Sequence, residues 1–378
     1  MTKTRCFDID TLGQRLWLDF ISREMIQSGE LKRIIDEDGI SGVTSNPTIF
    51  MKAIIGSRVY EDEIKRLAPQ KMTAKQIYYS LTGSDIQTAA DLLLPTYKRS
   101  NGFDGFVSVE VLPEFAYDPE STIMEAERLF EQENRDNVMV KIPGTPEGLE
   151  AIAELTARGR NVNATLLFSA GQYEPVARAY ISGVKRRFHE GLDVANLVSV
   201  ASVYLSRTDV KVDRTIGRLL SHPLENNRKR ELEGLRGKAA IATAKAIYKK
   251  FKELFSSDEW KELEGAGARP QRPLWASMSP KEESADPLKY VEGVIGRMTI
   301  STLPMGTLFS FRERGCARPT LEEDMDSAFE TLDRLRKAGV DIDKIYDQLQ
   351  KETVIMFEHS YDLLMETINE ERKRHSSA

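Results

Sequence analysis

The sequence predicts an α/β chain closed into a (β/α)8 barrel of the TIM type, carrying a helical insertion and a C-terminal helical extension. Three observations support this. Eight short segments rich in β-branched and aromatic residues recur along the 378 residues, as strands do. Several of them are almost continuously apolar, the pattern of parallel strands buried on both faces. Stretches with helical periodicity separate them, as in a chain of βαβ units, and about eight such units suggest closure into a barrel.

The eight segments are Leu16–Ser22, Gly42–Pro47, Phe106–Pro113, Val138–Gly144, Asn161–Ser169, Leu197–Arg207, Arg272–Ser279 and Met298–Pro304. Between the first two, Ser22 is placed to cap a helix running to Glu37. Thr122 to Glu133 reads as an acidic helix, and Pro146 and Glu147 open another through Thr156, with Pro in the first turn where it is tolerated. Lys238 to Phe255 repeats apolar residues at helical spacing with lysines opposite. Residues 51–101 form a long helical insertion between the second and third strands. The tail, 320–371, reads as two helices. The first is capped by Thr320, and the second is apolar at Ile345, Leu349, Val354, Met356, Leu363 and Met365. An open doubly wound sheet is the competing architecture, but no G-x-G-x-x-G follows the first strand. Length alone suggests two or three domains, yet barrels reach this size as one unit. A single domain over 1–378 is therefore expected.

Composition narrows the function. Hydrophobic residues make up 40% and charged residues 30%, and 53 basic against 59 acidic residues leave a net charge of −6. A dedicated nucleic-acid surface is usually basic, so none is expected. A local pocket can still be positive on an acidic protein and hold a small anion. Cys6 and Cys316 form no disulfide framework and no metal-ligand cluster. Lys3 and Arg5 precede no apolar stretch of the kind a secretory signal carries. No apolar run approaches the ~20 residues that a membrane span needs. A cytoplasmic protein with no membrane contact is expected. The four histidines (His189, His222, His359 and His375) fall in helices or loops without metal-binding spacing, which speaks against a metal-dependent hydrolase or a zinc-dependent aldolase.

Barrel enzymes gather their reactive groups at the C-terminal ends of the strands. Here that rule selects Asp19, Asn46, Glu110, Lys141, Asn163, Thr165, Ser202, Arg207 and Ser277. Lys141 is the most informative. It lies inside an apolar strand, and lysine is almost never fully buried unless paired. One reading is a lysine that only snorkels or pairs with an acid at the barrel rim. The other is a nucleophile: desolvation or a nearby cation lowers its pKa from about 10.4, and the neutral amine attacks a ketone to form an imine, an electron sink for cleaving the adjacent carbon–carbon bond. Asp19 and Glu110 are candidate proton donors and acceptors for such a step, or else a buried ion pair or a cap. Asn46, Asn163 and Thr165 can hydrogen-bond a polyol, although Asn46 before Pro47 is also a common turn element. Arg207, Ser202, Ser277 and Lys281 can hold a phosphate, since Arg offers bidentate geometry to its oxygens. The plainer alternative for Arg207 is a pair with Asp209.

Taken in order, SGVTSNPTIF, VSVEVLP, VMVKIPGTPEGL, NVNATLLFS and ASVYLSR resemble the transaldolase family, most nearly its longer bacterial branch. The resemblance runs from about Leu16 to past Phe357. It implies that Lys141 forms the imine, that Glu110 and Asp19 work with a bound water in proton transfer, and that Thr165 positions that water. It further implies that Asn46 and Asn163 bind the dihydroxyacetone unit, that Ser202 lines the site, and that Arg207 and Ser277 bind phosphate. One departure follows Ser277. The branch commonly reads T-G-T-K-N-P there, whereas this chain has Met278-Ser279-Pro280-Lys281-Glu282-Glu283. Shorter members carry a basic residue where this chain has Ser279, and Lys281 is expected to supply that charge.

The activity so implied moves a dihydroxyacetone unit from sedoheptulose 7-phosphate or fructose 6-phosphate to glyceraldehyde 3-phosphate or erythrose 4-phosphate, a transfer of the non-oxidative pentose phosphate pathway. No metal or organic cofactor is expected. The partners are small sugar phosphates, and the enzyme is a monomer or homodimer. A fructose 6-phosphate aldolase on the same scaffold and a non-catalytic sugar-phosphate-binding protein are the alternatives.

Overall fold

The computed structural model describes residues 4–282 and 285–376. Lys3 and Glu283, both used above, lie outside the described residues. Eight parallel strands close in sequential order: β1 Gln14–Leu18, β2 Gly42–Thr44, β3 Phe106–Glu110, β4 Val138–Pro143, β5 Val162–Leu167, β6 Ser199–Tyr204, β7 Arg272–Ala276 and β8 Thr299–Leu303. Closure runs through β1 and β8, where Gln14 to Leu18 pair with Thr299 to Leu303. The expected barrel is therefore present, and the open sheet is not.

Alternation along each strand sorts side chains to two sides. Trp17, Phe106, Met139, Val200, Leu274 and Ile300 belong to one buried cluster, which fills the barrel. Leu16, Leu18, Val107, Val109, Val140 and Ile142 belong to another, which packs against the surrounding helices. The short strand β2 has to begin with glycine: a Cβ on Gly42 would lie 2.4 Å from the Trp17 ring. The N-terminal end of the barrel is closed by charge. Arg272 is buried with Nη1 2.8 Å from Asp104 Oδ1, and Arg15 Nε lies 2.9 Å from the same carboxylate. Burial would raise the Asp104 pKa, but the two guanidinium groups outweigh it and hold it below the usual range.

The connections differ from expectation at several ends. Ser22 caps as predicted, its hydroxyl accepting from Met25 N at 3.2 Å. The helix behind it breaks into Arg23–Gln27 and Glu30–Asp38, because Gly29 takes a left-handed φ of 77°. The acidic helix starts earlier, at Pro119, capped by Asp118. Pro146 and Glu147 stay in a turn, and the helix begins at Gly148, whose N–H donates to Thr145 Oγ1 at 3.1 Å. Thr320 caps nothing: it sits in a single 3-10 turn, its hydroxyl donating to Glu292 O, and the helix Met325–Lys337 starts after Asp324. Residues 51–101 are not all additional. Their main element, Ala74–Arg99, is the β2–β3 crossover helix and buries Leu81, Ile86, Ala89 and Leu93. It opens with a Thr73–Gln76 capping box.

The last helix, Ile342–Ser376, continues past the expected end of the tail at 371. Ile345, Leu349 and Val354 are buried, whereas Leu363 is 41% exposed. Phe357, Tyr361, Leu364 and Ile368 form the buried face instead. They follow a spacing of three and four that puts Leu363 on the far side. This helix touches the helix Pro47–Ile54, strand β5 and the helix Ser206–Leu220. It therefore lies across the C-terminal mouth of the barrel.

Candidate active site

The strand register assembles the site. Glu110 on β3 pairs with Lys141 on β4, which pairs in turn with Asn163 on β5. Parallel strands in register set these three side chains in one inward-facing layer near the C-terminal ends. Lys141 is 3% exposed and Glu110 8%. Lys141 Nζ donates to Glu110 Oε2 at 3.0 Å and to Ser45 O at 3.1 Å. The lysine does not snorkel; it is buried and pairs with an acid, as the plainer reading expects, in a layer that faces into the barrel.

Burial by itself would lower the Lys141 pKa. The charge of Glu110, then Tyr204, the Glu110 hydrogen bond and Asp19 outweigh burial and raise it, opposite to the lowering expected of a nucleophilic lysine. Burial raises the Glu110 pKa, and the opposing Lys141 charge does not cancel that. The resting pair is therefore charged on the lysine, and the carboxylate beside it has more than the usual affinity for a proton. One transfer along the 3.0 Å contact yields a neutral amine and a neutral acid.

Asp19 follows β1 and accepts from Thr44 Oγ1 at 2.8 Å; Thr44 in turn meets Thr302 Oγ1 at 2.9 Å. Burial raises the Asp19 pKa against the Thr44 bond and the charges of Lys141, Lys281 and Arg207. Two carboxyls of raised proton affinity thus flank one lysine.

Asn163 is fully buried with its amide fixed at both ends. Ser202 Oγ donates to its Oδ1 at 2.7 Å, and its Nδ2 donates to Ser108 Oγ at 3.1 Å. Ser202 therefore orients Asn163. Thr165 Oγ1 lies 3.3 Å from Tyr204 Oη. Asn46 caps the helix Pro47–Ile54 through Oδ1, which accepts from Ile49 N at 2.9 Å. Among the described residues its Nδ2 makes no hydrogen bond, so capping leaves a donor available.

Arg207 stands in the first turn of the helix Ser206–Leu220. It does not pair with Asp209, which is held by Lys289 at 2.8 Å, Tyr290 and Ala240 N. Its Nη1 donates to Thr353 Oγ1 at 3.3 Å, and its guanidinium lies 5.6 Å from the Tyr204 ring centroid. Among the described residues no carboxylate pairs with it. Ser277 follows β7 with a left-handed φ of 55° and meets Ser206 Oγ at 2.8 Å. Lys281 keeps part of its side chain in solvent, and partial burial of its amine, followed by the charges of Arg207 and Lys52, lowers its pKa. Arg207 and Lys52 are therefore each near enough to repel Lys281, an arrangement that a phosphate relieves. Ser279 meets Thr307 Oγ1 at 2.9 Å and adds no charge.

Sequence reasoning missed Thr44, Ser45, Lys52, Tyr204 and Ser206. Tyr204 reads in sequence as one more core aromatic, and only its strand parity, two residues from Ser202, marks it as inward-facing.

A family model described as Transaldolase/Fructose-6-phosphate aldolase matches residues 16–368. The chain belongs to the transaldolase/fructose-6-phosphate aldolase family. This transaldolase-family chain is 44% identical over 361 residues to a transaldolase of Thiobacillus denitrificans, covering 96% of this chain and 98% of that one. It is 39% identical over 376 residues to a transaldolase of Trichodesmium erythraeum, with 99% of each covered. A protein named transaldolase 2 from Nostoc punctiforme is also 39% identical over 376 residues, again with 99% of each covered. Among the described residues of this transaldolase-family member, no helix is long and apolar enough to cross a membrane.

Proposed function

We propose that the protein is a transaldolase, a Schiff-base-forming transferase that moves a dihydroxyacetone unit between sugar phosphates. The observation that carries this reading is the buried Lys141–Glu110 contact at 3.0 Å, at the end of the barrel where such enzymes react. Asn46 and Asn163 bind the hydroxyls of sedoheptulose 7-phosphate or fructose 6-phosphate, while Arg207, Ser277 and Lys281 hold the phosphate. Lys141 passes a proton to Glu110, and its amine attacks the ketose carbonyl at C2. The resulting carbinolamine loses its oxygen as water, with Glu110 and Thr165 supplying and guiding the proton, and a protonated imine forms.

Asp19 takes the proton of the C4 hydroxyl. The C3–C4 bond breaks, its electron pair moves toward the iminium nitrogen, and an aldose phosphate leaves. The enamine left on Lys141 adds through C3 to the aldehyde carbon of glyceraldehyde 3-phosphate or erythrose 4-phosphate, whose oxygen takes the proton back. Addition of water to the imine frees the new ketose and the lysine. The enzyme needs no metal or organic cofactor and acts in the cytoplasm as a monomer or homodimer, one domain per chain.

Such a two-stage transfer is tested by steady-state kinetics with fructose 6-phosphate as donor and erythrose 4-phosphate as acceptor. Parallel double-reciprocal lines and formation of sedoheptulose 7-phosphate are expected; intersecting lines contradict a covalent intermediate. One observation favours a second reading. Tyr204 places a phenolic hydroxyl 3.3 Å from Thr165, where it can protonate the enamine and release free dihydroxyacetone, as an aldolase does.

A further inference from the structure

Gln350 lies in the C-terminal helix and is 9% exposed. Its Nε2 donates to Gly144 O and to Leu166 O, each at 3.0 Å. These carbonyls belong to the ends of the two strands that carry the proposed nucleophile and its companion hydroxyl, Lys141 on β4 and Thr165 on β5. The two ends are also tied to each other, because Gly144 N donates to Thr165 O at 2.7 Å.

The tie matters because β5 is irregular there. Its register against β6 shifts between Ala164 and Leu167, and Leu166 takes a left-handed φ of 66°. A branched L residue rarely adopts that conformation, which persists only where the surroundings hold it. Gln350 bonds the carbonyl of that residue, directly after Thr165. Three residues on, the same helix presents Thr353 to Arg207. One helix therefore touches both the proposed imine end and the proposed phosphate end of the site.

We infer that Gln350 is a positioning residue for the reaction, holding the ends of β4 and β5 so that Thr165 keeps its place relative to Lys141. This rests on the transaldolase reading, since only a reaction at Lys141 makes that separation matter to turnover.

Two substitutions separate positioning from stability. Gln350→Met keeps the length and removes the donors. Gln350→Glu keeps the shape and donates only when protonated. Turnover with fructose 6-phosphate and erythrose 4-phosphate is read together with the rate of borohydride trapping at Lys141 and the melting temperature. Gln350→Met is expected to lower kcat by about 10- to 100-fold, the size of effect a misplacement of about 1 Å produces. KM and the folded fraction should stay close to those of the parent. Gln350→Glu is expected to be most active on the acid side and to lose activity as its carboxyl ionises, a limb the parent lacks. Ile355→Ser, at a position 62% exposed on the same helix, keeps the parental kcat. Parental kcat and trapping rate in Gln350→Met overturn the inference alone, as does a parental pH profile in Gln350→Glu, which decides the matter if the Met variant does not fold. Absence of any trapped adduct in the parent overturns the transaldolase reading and this inference with it.

Discussion

Lys141 Nζ and Glu110 Oε2 lie 3.0 Å apart on neighbouring strands, and both side chains are closed off from solvent. The pair explains how a lysine survives inside an apolar strand, since a buried charge persists when it is paired. In the proposed mechanism it also supplies the proton acceptor that the lysine needs before it can act as a nucleophile.

Removing that acceptor tests the idea. Glu110→Gln keeps the shape and abolishes the proton transfer, so kcat for transfer should fall by about 10²- to 10⁴-fold, the usual worth of a general acid–base group. Steady-state kinetics on the folded variant checks this, and near-parental turnover contradicts it.

Arg207 should act on the phosphate alone. A charge-assisted hydrogen bond is worth roughly 1.5–3 kcal/mol, so Arg207→Ala should raise KM for fructose 6-phosphate by about 10- to 100-fold. KM for unphosphorylated dihydroxyacetone should change far less. Equal effects on both refute the phosphate role.

Tyr204 bears on the balance between transfer and release. With no acceptor present, Tyr204→Phe should release free dihydroxyacetone from fructose 6-phosphate about tenfold or more slowly than the parent, because its enamine loses a proton donor. Transfer to erythrose 4-phosphate should persist. Enzymatic assay of dihydroxyacetone decides it, and an unchanged release rate removes Tyr204 from the chemistry.

Glu133 gives a pH-dependent stability away from the site. It ends the helix Pro119–Glu133; Gln132 Nε2 donates to its Oε1 at 2.9 Å, and among the described residues its buried Oε2 has no partner. Burial pushes its pKa up to about 8 against the Gln132 bond and the charges of Arg128 and Arg135. The folded pKa lies above the unfolded value of about 4.3. Its contribution is therefore fully present below that value and lost as pH rises through about 8. Glu133→Gln should be more stable than the parent at pH 9, by roughly 1–3 kcal/mol, with the gap closing toward pH 5. Denaturant unfolding at the two pH values measures it, and a constant gap contradicts it.

The strands were legible in the sequence because their burial on both faces makes them nearly continuous apolar runs, and a charge such as Lys141 stands out inside VMVKIPG. Because strand ends converge in a barrel, the same reading brought Asp19, Glu110, Lys141, Asn163 and Thr165 together without knowledge of the register. What stayed hidden depends on tertiary contacts. Tyr204 looks like core until its hydroxyl meets Thr165, and Gln350 looks like any polar helical residue until the helix crosses the barrel mouth. Local signals also misled where a competing bond won. Thr320 has a cap-forming side chain but bonds to Glu292 O.

In the proposed mechanism Lys141 becomes covalently bonded to the sugar. Borohydride reduction in the presence of fructose 6-phosphate, followed by peptide mass analysis, tests it most directly. A three-carbon dihydroxyacetone-derived adduct is expected on the peptide containing Lys141, absent from Lys141→Ala, which should also lose transfer. No adduct on Lys141, or full transfer by Lys141→Ala, contradicts it.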